Sequence, residues 1–277
     1  MKPKLSVAIL VTVPKPEHFD ACTLCFDTLR TGFPTANIKV FVNDSLGLVV
    51  DAPLHERLRQ KLYAARAEEV MLAGKVHHAE WIRTQVNRCD GPLVILDADT
   101  VFWKSCEDWT FPEPVLLAGY YVPAMVNDFA RCVSFPRLHT SHLWFPNPAR
   151  LRQHIYDAYP PAQEAHGEYC PCDPFMPAVR FMEGRPYFWD SCANLYGMLA
   201  SVEFLTYAFE PEHLACYAHL NSAAFYDCML DRLHGDKEAF AYIHRFAASD
   251  PAHEALRNLW PHVNAYYAER ASRVVSK

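Results

Sequence analysis

Apolar, β-branched runs recur through the first hundred residues, and each gives way to a segment with helical spacing. LSVAILVTV (5–13) is stopped by Pro14 and Pro16, and a helical pattern follows over 17–31. IKVFVN (38–43) is closed by Asp44, Ser45 and Gly47, after which 54–70 is charged and leucine-spaced, as in a helix. A short strand at Val70–Leu72 precedes HAEWIRTQVNR (78–88), another helix, which Asp90-Gly91-Pro92 stops before the run PLVILDAD. Strand and helix in this alternation predict the α/β class, with a mostly parallel central sheet flanked by helices.

The chain has 277 residues, 51% of them hydrophobic, enough for the core of one large α/β domain. A net charge of −6 leaves no electrostatic footprint for wrapping nucleic acid. No apolar run approaches the ~20 residues that cross a bilayer. SVAILVTV, followed by PKPEH, reads as an opening strand rather than a signal-peptide core, so a cytoplasmic location is expected. Ten cysteines spread through a chain with a good core read as reduced thiols rather than a disulfide framework. Cys22 and Cys25 share CxxC spacing, but both lie in the helical stretch DACTLCFDTLR, where a buried face explains them. Cys170 and Cys172, with His166 nearby, are candidate zinc ligands that lack a matching second pair.

The second half is rich in proline, aromatics and histidine. HTSHLWFP (139–146) predicts a strand and 148–158 a helix. Residues 160–186 predict a long proline-rich loop, and 190–202 a helix with Asp190 as its N-cap. A short strand precedes 214–219, which lead into HLNSAAFYDCML, and the tail from Lys237 is helical. No linker divides the chain, so 1–277 is expected to form a single domain.

VILDAD delivers Asp97 and Asp99 to the end of a buried strand. In open α/β sheets, ligands bind beyond the carboxyl ends of the strands. Two carboxylates in D-x-D spacing there can share a hard divalent cation, Mn²⁺ or Mg²⁺, which in turn can bridge a diphosphate. The plainer alternative is one aspartate capping a turn and one solvated.

The order of an opening strand, FVND ending a second strand, a helix and then VILDADTVF resembles GT-A glycosyltransferases. The likeness covers about residues 5 to 225. It implies a Rossmann-like sheet with a nucleotide-sugar-binding half at about 1–110, a mixed acceptor-binding half at about 111–235 and a helical tail at 236–277. It also implies transfer of a sugar from a nucleotide-sugar donor, a UDP-sugar foremost, with Asp99 on the metal and Asp97 beside ribose and sugar or reaching the metal through water. His219 in CYAHLNSAAF resembles the late histidine that completes such a metal site, although the glycine and lysine that often follow it are missing. Thr12, Val13, Asn43, Asp44, Arg83 and Ala98 fall where the family binds donor. Arg83 can equally be a solvated helix charge.

HTSHLWFP resembles the strand beneath donor sugar and acceptor, so Ser141, His142 and Trp144 are acceptor-side candidates, with core packing the plainer role for Trp144. RPYFWDSCANL puts Asp190 at a loop-to-helix junction, where an inverting relative places the base that takes the acceptor proton, and a retaining relative an acid touching the donor. Tyr187 and Trp189 are candidate stacking faces for a sugar. A glycan, a lipid-linked sugar, a protein side chain or a modified nucleobase all fit as acceptor.

Two rival readings stand beside this one. DADTV also matches the nucleophile motif of haloacid-dehalogenase-type phosphohydrolases, with Asp97 attacking phosphorus. That family usually opens with the motif on its first strand, and HGDKEAF lacks the late acidic pair. A non-catalytic nucleotide-sugar-binding protein is the second rival.

Overall fold

A computed structural model describes residues 4–11, 19–43, 52–74, 76–127, 132–158, 173–182, 185–189 and 191–219. The first half alternates as expected: β1 (Ser6–Val11), α1 (Phe19–Gly32), β2 (Asn37–Val42), α2 (Ala52–Ala64), β3 (Glu68–Met71), α3 (His78–Arg88) and β4 (Leu93–Asp97). Then come β5 (Thr100–Phe102), β6 (Leu117–Val122), β7 (Met125–Asn127), β8 (Cys132–Ser134), β9 (Arg137–Phe145) and α4 (Pro148–Ala158). The last described elements are β10 (Ala178–Met182), β11 (Arg185–Trp189), α5 (Ala193–Ala200), β12 (Thr206–Ala208), α6 (Pro211–Leu214) and β13 (Tyr217–His219).

Seven strands form the central sheet in the order β12-β6-β9-β4-β1-β2-β3. Only β9 runs against its neighbours, β4 and β6; the other pairs in the sheet are parallel. The chain is therefore α/β with a mostly parallel, Rossmann-like sheet. A second sheet, β10-β11-β8-β7, and a two-stranded β13-β5 ladder complete the described strands.

The period of two along a strand sets the layers. On β1, Val7, Ile9 and Val11 pack with Phe26 and Leu29 of α1 and Leu58 and Leu62 of α2. Ala8 and Leu10 face the other way, into a cluster holding Trp81, Ile82 and Val86 of α3 and Leu195 and Leu199 of α5. On β4, Val94 and Leu96 join the first cluster and Leu93 and Ile95 the second. The strands are apolar throughout because both faces are covered. Each such buried side chain contributes about 1.5–3 kcal/mol. Cys22 and Cys25 lie buried on α1 within the first cluster, as unbridged thiols.

Three local expectations change. The helix read over 54–70 ends at Ala64, and Arg66 takes the left-handed conformation (φ 49°) before β3. Arg30 on α1 fixes this stop, since its guanidinium donates to the carbonyls of Ala65 and Arg66 and also to those of Phe33 and Ala36. That contact spans two helices and leaves no local signature. The helix read from Asp190 begins at Ala193, with Cys192 (φ 63°) as N-cap and no side-chain capping bond. The stretch read as loop over 160–186 contains β10, which pairs antiparallel with β11.

Candidate metal centre

Parallel β1 and β4 pair Leu10 with Asp97, so Asp97 stands at the carboxyl edge of the sheet. The chain then turns through Ala98 and Asp99 into β5. β13 pairs antiparallel with β5 and sets His219 opposite Thr100. This ladder carries a residue from the far end of the described chain to the D-x-D turn. His219 Nε2 lies 3.0 Å from Asp99 Oδ1 and 3.6 Å from Asp97 Oδ2. One ligand atom from each of the three residues falls within 4.8 Å of the others.

Burial opposes ionisation of Asp99, yet the charge and hydrogen bond of His219 outweigh it and hold the carboxyl below its ordinary range. Two carboxylates and one imidazole form an oxygen-rich set that fits Mn²⁺ or Mg²⁺. The spacing is compatible with one ion reaching all three.

Two further histidines border the group. His139, on β9, has its ring centroid 5.0 Å from that of His219. Its Nδ1 accepts from the Ser141 N–H at 3.2 Å and lies 2.9 Å from Ser141 Oγ. Burial, then the charges of His219 and Arg137, lower it to about 3, so it is neutral. His78 opens α3 and places Nε2 3.5 Å from Asp97 Oδ1. Neither stands out in the sequence by residue type or spacing. For His139 the signal was its place in HTSHLWF; it needed a break in strand register to become useful. β6 and β9 lose register between Gly119 and Tyr121, which pair with Leu143 and Leu138, and the irregularity spans His139 to His142.

The other candidates divide. Ala98 is buried in the turn between the two acids. Asn43 is buried at the end of β2, where its amide donates to the Val76 carbonyl (3.0 Å) and accepts from the Val76 N–H (2.8 Å), tying down the approach to α3. The Arg83 guanidinium pairs with Asp173 and lies 3.9 Å from Glu80. Ser141 is buried, its carbonyl accepting from Thr100 Oγ1 at 3.0 Å. His142 and Trp144 belong to the core rather than to an acceptor-facing surface. Trp144 Nε1 donates to His142 Nε2 at 2.9 Å, and His142 sits among Phe102, Trp109, Phe209 and Tyr217. The pull of aromatic packing explains this placement. Tyr187 and Trp189 pair with Arg180 and Ala178 in the β10–β11 ladder. Thr12, Val13, Asp44 and Asp190 lie outside the described residues, as do His166, Cys170 and Cys172. No helix among the described residues is long and apolar enough to cross a membrane.

No family model matches the chain, and no curated protein matches it. Among solved structures, it is similar over its whole length to 75% of the mannosyltransferase PcManGT from Pyrobaculum calidifontis, in complex with GDP-Man and Mn²⁺, at 12% identity and a TM-score of 0.47. It is similar to 4-diphosphocytidyl-2C-methyl-D-erythritol synthase from Anaerococcus prevotii at 8% identity and a TM-score of 0.45, over 83% of this chain and 98% of that one. The apo-form glycosyltransferase GlyE of Streptococcus pneumoniae gives 13% identity and a TM-score of 0.39 over 91% of this chain, which spans about half (52%) of GlyE.

Proposed function

We propose that the chain is a metal-dependent glycosyltransferase of GT-A type, moving a sugar from a nucleotide-sugar donor, a UDP-sugar foremost, to a hydroxyl acceptor. The observation that carries this reading is the convergence of Asp97, Asp99 and His219 at the carboxyl edge of a mostly parallel sheet. That edge is where such sheets receive nucleotides. Asp99 and His219 are the direct holders of Mn²⁺ or Mg²⁺, and Asp97 flanks them. A bound divalent cation supplies charge that stabilises a departing nucleoside diphosphate. Residues 1–110 serve the donor and 111–235 the acceptor. Asp190, between β11 and α5 in the sequence, takes the acceptor proton in this reading.

The phosphohydrolase alternative is less well supported. β4 follows three strands rather than opening the sheet, and the imidazole of His219 faces both acids.

The test is a panel of nucleotide sugars with Mn²⁺, read by thermal shift and by release of nucleoside diphosphate. A true donor at a hundredfold excess over its Kd stabilises the fold by about 2.7 kcal/mol. Stabilisation and turnover in the protein, both lost in Asp99→Asn, support the reading. Phosphate release from a simple phosphoester, with no response to any nucleotide sugar, overturns it. Binding without turnover for any acceptor points to the non-catalytic alternative.

A further inference from the structure

We propose that His78 is a positioning residue for Asp97, holding one carboxylate oxygen so that the other is presented to the cation. This rests on the metal-site reading above. The two oxygens of Asp97 face two different histidines: Oδ1 is 3.5 Å from His78 Nε2, and Oδ2 is 3.6 Å from His219 Nε2. His78 Nε2 is buried and makes no hydrogen bond of normal geometry among the described residues. In the tautomer with its proton on Nε2, His78 presents a buried N–H, and the acceptor facing it is Oδ1 of Asp97.

The ring of His78 is held in place from behind. It stacks on Trp81 with centroids 5.9 Å apart and planes 19° off parallel. Trp81 is itself buried against Phe41. The preceding His77 caps α3, its Nδ1 accepting from the Ala79 N–H at 3.2 Å. The stacking restrains the His78 ring beside Oδ1, and a carboxylate held on one side by such a donor would lose freedom to rotate away from the metal. Hydrogen-bond partners of metal ligands commonly set affinity by 10–100-fold.

The experiment measures Mn²⁺ affinity directly, by paramagnetic resonance of free Mn²⁺, with no nucleotide present. The proteins are the full chain, His78→Ala, His78→Gln and Asp99→Asn, each with its metal-free melting temperature. The expected result is a 10–100-fold weaker Kd in His78→Ala at an unchanged metal-free melting temperature. His78→Gln, which keeps an N–H donor at similar reach, should return to within a few fold of the parent. Parent-like binding by His78→Ala overturns the inference while leaving the metal site standing, provided that Asp99→Asn has lost binding. Equal losses in His78→Ala and His78→Gln, with lowered melting in both, also overturn it, because the role is then structural. No Mn²⁺ binding by the parent removes the metal site and this inference together.

Discussion

His219 Nε2 sits 3.0 Å from Asp99 Oδ1, held there by a three-residue ladder between β13 and β5. Both side chains are largely removed from water, Asp99 more so. His219 is thus the leading charge acting on Asp99. Under chelator, His219→Ala should leave Asp99 as an uncompensated buried carboxylate and lower stability by about 3 kcal/mol. Adding Asp99→Asn should cost less than the sum of the two single changes. Urea unfolding of the four proteins checks this, and strict additivity would refute the coupling.

Asp99→Asn keeps the shape of the side chain and removes its charge. It should abolish Mn²⁺ binding and reduce metal-dependent turnover by at least ~100-fold, the scale for losing one group that stabilises developing charge. The far-ultraviolet circular dichroism should not change. Undiminished turnover in this variant with chelator present would exclude a metal at this position.

Acid should weaken the fold through His142. Burial lowers this histidine from 6.5 to about 3, with the charge of His213 adding to the effect. Below pH 6.5 the unfolded chain takes up a proton that the folded chain refuses until about pH 3. The stabilisation is therefore complete above pH 6.5 and lost progressively as the pH falls towards 3. The slope from this one residue is about 1.4 kcal/mol per pH unit. His142→Gln, which keeps an acceptor for Trp144 Nε1, should flatten the profile between pH 6 and 4, approximate bounds set by the same titration window. An equally steep profile would show that the acid sensitivity lies elsewhere.

Gly32 closes α1 against β5. A Cβ at this position would lie 2.6 Å from Phe102 Cγ and 2.7 Å from Cδ1, and Phe102 is fully buried. Gly32→Ala should destabilise by about 1–3 kcal/mol. Because Phe102 pairs with Tyr217 in the ladder that carries His219, the same change should also weaken Mn²⁺ binding. Calorimetry and metal titration test the two effects together.

Of the buried thiols Cys25, Cys106 and Cys216, Cys216 should react first with iodoacetamide near neutral pH, because burial pushes the other two up. A hydrogen bond from the Cys106 thiol lowers it to about 7 against the opposing effect of burial. Thiolate fraction governs such reactions. Cys106→Ala should slow the alkylation of Cys216, as read by peptide mass spectrometry.

Much of the sheet was already determined by the chain's local pattern. Short, largely apolar and β-branched runs at β1, β2 and β4 read as strands, and the helical spacing between them implied a mostly parallel sheet. The aspartate pair was equally legible, since D-x-D at the end of such a run falls at the carboxyl edge by geometry alone. What lay beyond the pattern depended on contacts distant in sequence. Arg30 ends α2 from another helix, and a lapse in strand register aims His139 towards His219 while His142 stays in the core. His78 becomes relevant only because α3 starts beside the end of β4. Local sequence encodes which segments are strands and helices because those preferences act over a few residues. Which histidine meets which carboxylate is decided by tertiary packing, where angles and register set distances to within an ångström and no short stretch of chain carries that information.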